Sequence, residues 1–308
     1  MNRAGNHFLF NKTRLAPTPS GFLHLGNIYS FVITVALARS SGAKVLLRID
    51  DADRERTNKV FVQDIFDTLS YLDIPFDEGP LTIPEYETIY SQVHRMDTYY
   101  KALHQLRDAG KLFACTCTRT QVVHGPDSVY PGTCRHKNIP FDAPNVSWRI
   151  IEDETELEVK GVDGSITKAQ LPANMRNFIV RKKDGFPAYQ LTSLLDDIHF
   201  GIDLVVRGED LWASTLAQLY LASLLGSNTF SNTSFYHHPL ISGADGNKLS
   251  KSEGATSVHY LRDHDDAAGI YTLLAHTLNI SGSASGWTDL ARLIYNSDYL
   301  PGISGLDL

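Results

Sequence analysis

Two short runs at opposite ends of the chain carry residue types that handle phosphates. The first is His24-Leu25-Gly26-Asn27 and the second is Lys248-Leu249-Ser250-Lys251-Ser252. An imidazole at a helix start can donate to a phosphate oxygen. The helix amides beside it offer unpaired N–H groups and a partial positive charge. Gly26 leaves room for a nucleotide to lie against the backbone. Lys248 and Lys251, three apart in a loop, supply two mobile ammonium groups suited to the charge that builds on a pyrophosphate leaving group. Singly, each run is commonplace: a lone His at a helix start is usually a cap, and a Lys-x-x-Lys loop is usually solvated surface. Together, in this order, they point to nucleotide chemistry. A second constellation is made of thiols. All three cysteines, Cys115, Cys117 and Cys134, fall within twenty residues. Zinc takes thiolates and imidazoles in a tetrahedron. Cys115 and Cys117 can chelate from one extended segment, Cys134 adds a third thiolate, and His124 and His136 are near in sequence. The plain alternative is three reduced thiols without metal.

The elements that must position these groups follow from pattern. Leu9 to Ala16 reads as a strand, broken by Pro17-Thr18-Pro19-Ser20-Gly21. Asn27 to Ser40 reads as a buried helix ending at Ser41-Gly42, and Lys44 to Ile49 as a buried parallel strand. Strand, loop, helix and strand make a βαβ unit. Asn58 to Leu72 and Tyr86 to Ala109 have helical periodicity. From Cys115 to Ala143 the chain is rich in Pro, Gly, Asp and His. Val146 to Ile151 and Leu157 to Val162 then alternate like half-buried strands. Residues 114–175 read as an insert. Asn177 to Lys182 and Phe186 to Leu191 read as a hairpin around Asp184-Gly185. A strand at Leu204 to Val206, a helix from Leu211 to Leu225, a strand from His237 to Ile241 and a tail helix from Ala267 to Leu278 complete the pattern.

The 308 residues allow about two domains of ordinary size. Lys plus Arg number 28 against 35 Asp plus Glu, a net charge of -7, which argues against holding nucleic acid by bulk electrostatics. Three cysteines do not make a disulfide scaffold. Residues 1–13 lack an apolar core for a signal peptide, and no run approaches the ~18 apolar residues of a membrane span. A cytoplasmic enzyme without a membrane partner is expected. Nothing suggests an obligate oligomer, so a monomer is expected.

At this point the motifs resemble a known family. Arg14-Leu-Ala-Pro-Thr-Pro-Ser-Gly-Phe-Leu-His-Leu-Gly-Asn27 is similar to the signature of glutamyl-tRNA synthetases, class I aminoacyl-tRNA synthetases. His24 to Asn27 and Lys248 to Ser252 match the two class signatures. Arg48-Ile49-Asp50-Asp51 resembles the family's Arg-Ile-Glu-Asp. Tyr189 in Ala-Tyr-Gln-Leu and Arg207 in Val-Arg-Gly-Glu-Asp-Leu match two further motifs. The resemblance covers about residues 10 to 260. Only 56 residues follow Ser252, too few for the anticodon-binding domain of those enzymes. That pattern resembles the shorter glutamyl-Q tRNA(Asp) synthetase branch, as does Cys115-Thr-Cys117 followed by Tyr130-Pro-Gly-Thr-Cys134.

The resemblance implies an α/β fold: a Rossmann-type, doubly wound parallel sheet with an inserted α+β zinc-containing subdomain and a short helical tail. The parts would be 1–113 and 176–256 for the catalytic halves, 114–175 for the zinc-binding and acceptor insert, and 257–308 for the tail. It implies activation of L-glutamate with ATP and Mg²⁺, without tRNA, then transfer to the queuosine base of tRNA(Asp). His24, Lys248 and Lys251 would be catalytic, and Gly26 and Asn27 would join them in binding ATP. Arg14 would take the side-chain carboxylate and Arg207 the α-carboxylate, with Ala16, Thr18 and Tyr189 lining the same site. Asp50 stands where the family has Glu to receive the α-ammonium, so its reach is one methylene shorter. Zinc would be structural, held by Cys115, Cys117, Cys134 and, by the same resemblance, Tyr130. Rival readings are a truncated glutamyl-tRNA synthetase charging tRNA(Glu), a non-catalytic tRNA-binding paralogue, and a nucleotidyltransferase acting on a small acid.

Overall fold

The computed structural model describes residues 9–122, 129–241 and 257–297. β1 (Lys12–Leu15), α1 (Leu25–Ser41) and β2 (Lys44–Leu47) form the expected βαβ unit. β1 and β2 run parallel, Lys12 opposite Lys44 and Leu15 opposite Leu47. His24 caps α1 in an extended conformation, and its N–H donates to Asn27 Oδ1 at 3.0 Å. Gly42 ends the helix at φ 74°, a left-handed position that costs glycine little.

Helix α2 (Lys59–Tyr71) follows, then α3 (Met96–Asp108), β3 (Leu112–Cys115), β4 (Ser147–Ile150), β5 (Leu157–Gly161), β6 (Ile166–Ala169) and β7 (Ile179–Arg181). After these come α4 (Tyr189–Phe200), β8 (Leu204–Gly208), α5 (Trp212–Leu225), β9 (Ser234–His238), α6 (Val258–His264), α7 (Ala267–Thr277) and α8 (Trp287–Tyr295). β8 pairs in parallel with β9, β9 in parallel with β5, and β6 closes that edge antiparallel to β5. β1 packs beside β8 without a ladder. There the Asp203 N–H donates to the Lys12 carbonyl at 3.1 Å, and its carboxylate accepts from the Asn11 and Lys12 N–H groups. β3, β4 and β7 make a separate antiparallel sheet.

Alternation along the strands shows that the parallel sheet is covered on both faces. Val45, Leu47, Leu204 and Val206 join one apolar cluster, with α1, α2, α7 and α8. Leu46 and Val205 join the other, with α3, α4 and α5. Successive strand residues point to opposite faces, so both faces of β2 and β8 are buried under helices. This is the doubly covered α/β architecture that the sequence leads one to expect.

Three expectations need correction. The helix read from Tyr86 to Ala109 is broken: a wide turn covers Tyr86–Tyr90, Ser91 is extended at ψ 140°, and the α-helix begins at Met96. The cause is Asp51, which is wholly buried and needs donors. Tyr86 Oη (2.7 Å) and Ser91 Oγ (2.6 Å) donate to its Oδ2, and the Gln92 N–H donates to its Oδ1 at 2.8 Å. An unbroken helix would spend the Gln92 amide on its own ladder. The hairpin arm read at Phe186 to Leu191 is cut short, since its second half, from Tyr189, is already α4. The first half does return: the Lys182 N–H donates to the Phe186 carbonyl at 2.8 Å, the Ala188 N–H to the Val180 carbonyl at 2.9 Å, and Pro187 pairs with Arg181 between them. The strand read at His237 to Ile241 lies instead at Ser234–His238, because Pro239 has no N–H to continue the ladder. Two strands bear on the boundaries read at 113/114 and 175/176. β3 spans the first of them, and β5, inside the segment read as an insert, belongs to the parallel sheet.

One glycine is fixed by close approach. Gly79 sits at φ 117°, and a Cβ there would lie 2.3 Å from the Leu47 carbonyl oxygen. Neither the backbone conformation nor the space admits a side chain. Gly79→Ala is expected to cost on the order of 3 kcal/mol, read as a lower urea midpoint with unchanged slope.

Candidate active site

A cleft of about 1030 Å³, open to solvent, lies where β1 and β8 end and α1 begins. Ligands of open α/β sheets bind at such strand ends. Its wall includes Arg14, Ala16, His24, Gly26, Asn27, Tyr189 and Arg207. A second hollow of about 710 Å³ is lined by Thr18, Asp50, Gln92, Lys182 and Thr192, among others. Tyr189, 41% exposed at the first turn of α4, lines both. The residues expected to bind an amino acid are therefore gathered, but on two sides of one tyrosine. Arg14, Ala16 and Arg207 are on one side, and Thr18 and Asp50 are on the other.

Lys248 and Lys251 lie outside the described residues. The chain on either side of them is described, and both ends reach the cleft. Ile241 lines it, while Ser257 bridges to His24 and the Val258 N–H donates to the Leu23 carbonyl at 2.8 Å.

The charges beneath the cleft form a network that sequence reasoning did not foresee. Arg48, only 2% exposed, grips Asp50 with two hydrogen bonds, Nε to Oδ1 at 2.7 Å and Nη2 to Oδ2 at 3.0 Å. Its Nη1 donates to Asp197 Oδ1 at 2.6 Å. Burial alone would lower the Arg48 pKa, but Asp50 and Asp197 outweigh it and hold it well above the usual value. Arg14 Nε donates to the same Asp197 oxygen at 3.0 Å, and Arg14 Nη1 to the Val206 carbonyl at 3.3 Å. Arg207 is different. It is 4% exposed, its Nη2 donates to the neutral Gln218 Oε1 at 2.9 Å, and among the described residues its Nε and Nη1 have no partner. Its guanidinium stacks over the Phe235 ring at 5.5 Å. Burial pulls its pKa down to about 10, with Tyr189 and Asp197 opposing. Three buried arginines thus face two carboxylates, and Arg207, which lines the cleft with Arg14, is the one without a carboxylate partner among the described residues. An anionic ligand would supply the missing charge.

Arg48 was visible in the sequence only as part of a motif, without a role. Asp196 and Asp197 were missed altogether. Their signal was two consecutive carboxylates inside the apolar run Leu191 to Phe200, where a solvated face would not put them.

The thiols converge as the spacing suggests. Cys115, Cys117 and Cys134 bring their sulfurs within 4.8 Å of one another, Cys117 and Cys134 to 3.6 Å. Tetrahedral zinc with ~2.3 Å bonds holds its sulfurs roughly 3.8 Å apart. The buried Tyr130 hydroxyl lies 3.4 Å from Cys115 Sγ and accepts from the Cys134 N–H at 2.9 Å. Arg149 covers its ring at 4.0 Å. Burial would raise the Cys134 thiol, but hydrogen bonds, the first from the Thr116 backbone, hold it down to about 6. Burial pushes Cys117 up to about 11. Three sulfurs and one hydroxyl fit the donor set of a structural metal. His136 is exposed and is not part of the group, and His124 lies outside the described residues.

Comparison with known proteins agrees with this geometry. A sequence profile described as tRNA synthetases class I (E and Q), catalytic domain, matches residues 11–128 and 136–279. A glutamate–tRNA ligase of Anaeromyxobacter sp. (strain Fw109-5) is 33% identical over 264 residues, 82% of this chain and 54% of that protein. A glutamyl-Q tRNA(Asp) synthetase of Verminephrobacter eiseniae (strain EF01-2) is 32% identical over 303 residues, 93% of this chain and 97% of that protein. The crystal structure of the glutamate–tRNA synthetase from Elizabethkingia anophelis has the same fold at 20% identity, with a TM-score of 0.71 over 92% of this chain and 65% of that one. The chain spans about half the length of the curated glutamate–tRNA ligases it matches. Among the described residues no helix is long and apolar enough to cross a membrane. By the profile match and by these relatives, the chain belongs to the class I tRNA synthetases of the glutamate and glutamine type and carries their catalytic domain.

Proposed function

We propose that the protein activates L-glutamate with ATP and passes it to the queuosine base in the anticodon of tRNA(Asp). The observation that carries the first half is Arg207, a buried cation with two bare donors on a cleft that also holds Arg14 and the start of α1. Two carboxylates on one small substrate match two guanidiniums. In this reading Arg14 takes the side-chain carboxylate and Arg207 the α-carboxylate, with Tyr189 between the two hollows and Ala16 and Thr18 along the wall. Asp50 lies beyond Tyr189 to receive the α-ammonium. Both its oxygens already accept from Arg48, and each keeps a lone pair.

The α-carboxylate attacks the α-phosphate of ATP, forming the acyl–phosphate bond and releasing pyrophosphate. No protein nucleophile takes part. His24, Gly26, Asn27 and the α1 amides hold the phosphates, and Lys248 and Lys251 offset the leaving charge. ATP brings its Mg²⁺. In the second step an acceptor hydroxyl takes the glutamyl group and AMP leaves. Cys115, Cys117, Cys134 and Tyr130 would hold a zinc ion that ties their segment together.

The queuosine acceptor is supported by the relative named for that activity, which aligns over 97% of its own length. The relatives named glutamate–tRNA ligases support tRNA(Glu) as the competing acceptor. Glutamate-dependent exchange of pyrophosphate into ATP, run without tRNA, tests activation. Exchange is expected, and Lys251→Ala is expected to lower it by at least about a hundredfold. Transfer is then measured on tRNA(Asp) with and without queuosine, and on tRNA(Glu). Exchange that requires tRNA(Glu) would sink the proposed acceptor.

A further inference from the structure

Asp196 and Asp197 are adjacent carboxylates on α4, both wholly buried, and the reaction as written uses neither. Their surroundings differ. Asp196 accepts from Arg95 Nε (2.7 Å) and Nη2 (2.9 Å), from Tyr99 Oη (2.6 Å) and from Gln92 Nε2 (2.9 Å). Four donors on two oxygens saturate it, and they come from α3 and the turn before it. Asp197 is arranged asymmetrically. Its Oδ1 accepts from both Arg14 Nε and Arg48 Nη1, while its Oδ2, equally buried, has no partner among the described residues. A carboxylate serving only to neutralise two guanidiniums would give each its own oxygen. Asp197 instead draws both to one atom.

The consequence for Arg14 is an orientation. Its Nε is spent on Asp197 and one Nη1 proton on the Val206 carbonyl. What remains for the cleft is the second Nη1 proton and both Nη2 protons, a planar set of donors with no acceptor among them. A carboxylate satisfies such a set with two oxygens. A carboxamide must turn its NH₂ toward an N–H or give up one bond. The same Asp197 oxygen binds Arg48, whose other edge clamps Asp50 on the far side of Tyr189. One atom therefore ties the anion-reading arginine to the carboxylate of the second hollow.

We propose that Asp197 is a positioning residue that sets amino-acid specificity, fixing the Arg14 fork for a carboxylate and holding it in register with Arg48 and Asp50. This rests on the reading of the two hollows as a glutamate site. Asp197→Asn keeps the shape and Oδ1 but removes the charge. In the exchange assay with the full chain, its KM for glutamate rises on the order of tenfold or more while the KM for ATP stays within about twofold. The preference for glutamate over glutamine, as a ratio of kcat/KM values, falls on the order of tenfold. A lower melting temperature with both the glutamate KM and that ratio unchanged overturns the assignment and leaves Asp197 a structural ion. If Asp197→Asn does not fold, Asp197→Glu keeps the charge and moves the oxygen by one methylene. The ratio then falls in the same direction, and an unchanged ratio again overturns the assignment. Failure of the glutamate reading shows separately: the unchanged protein then gives no glutamate-dependent exchange, and this inference falls with it.

Discussion

Arg207→Met is expected to give a protein more stable than the original when no ligand is present, and nearly inactive with glutamate. The two effects share one cause. Arg207 is buried against Phe235 and Gln218 and, among the described residues, pairs with no carboxylate and leaves two donors bare. Burying an uncompensated charge is costly, and replacing buried ionic groups with apolar side chains of similar volume often stabilises by about 1–4 kcal/mol. Methionine is flexible enough to fill the space over the ring. The melting temperature of the free protein should therefore rise. The same change removes the fork that receives the α-carboxylate. Truncating one partner of a buried charge pair costs about 2–5 kcal/mol, so kcat/KM for glutamate should fall on the order of 10²- to 10³-fold. Glutamate should no longer raise the melting temperature of the variant. Thermal denaturation with and without glutamate, alongside pyrophosphate exchange, checks all three. A less stable Met variant with near-normal exchange would make Arg207 a structural cation.

Removing one thiol should be nearly as disruptive, in a different part of the molecule. The fourth side of the Cys115, Cys117 and Cys134 cluster is Tyr130, and around it the buried apolar side chains are few: Phe113 stacks on Tyr130, and Val122, Ile139 and Ile151 are only partly buried. So small a cluster cannot hold its segment by burial alone. Metal analysis of protein purified without chelators should return about one equivalent of zinc. Cys134→Ser should drop this below roughly half an equivalent and cost on the order of 2–4 kcal/mol, because binding energy at such a site is folding energy. Chelator should destabilise the original protein and leave the Ser variant unchanged. Full stability with no bound metal would mean that the sulfurs meet as ordinary thiols.

The parts of the fold that were legible in the sequence are those set by local pattern. The run from Asn27 to Ser41 is apolar on all sides, ends at Gly42 and is followed by Lys-Val-Leu-Leu; buried helix and buried parallel strand were the available readings. The parts that were not legible depend on partners far away in the chain. Nothing near Ser91 announces a break, because the break serves Asp51, forty residues earlier. The hairpin reading runs on through Leu191 and so takes in the first turn of α4, and the rest of that helix has no reading of its own; beside Leu191 and Leu194, its buried face carries Thr192, Ser193, Asp196 and Asp197. Each is polar because of what it meets: Ser193 accepts from Arg48, and Asp197 accepts from Arg14 and Arg48. Motifs name Arg14, His24, Tyr189 and Arg207, and the fold brings all four to the lining of one cleft, the candidate site. The charges that orient those residues carry no signature of their own. They became visible only as distances.

Cys115 and Ser147 face each other as the last rung of the β3–β4 ladder. The chain between them leaves the antiparallel sheet and returns to it at a single point. By contrast, β5 and β6, a little further on, are strands of the main sheet. A graft or a deletion confined to residues 117–145 could therefore close the chain with a tight turn, since two opposed antiparallel residues are one hairpin apart, though it would uncover Trp148, against which Phe141 packs. Cutting at 114 and 175 would instead tear two strands from the catalytic core. If relatives gain or lose the cysteine-bearing segment, the exchange can happen at that rung without disturbing the cleft. The cysteine cluster and the cleft can then diverge at separate rates within one polypeptide.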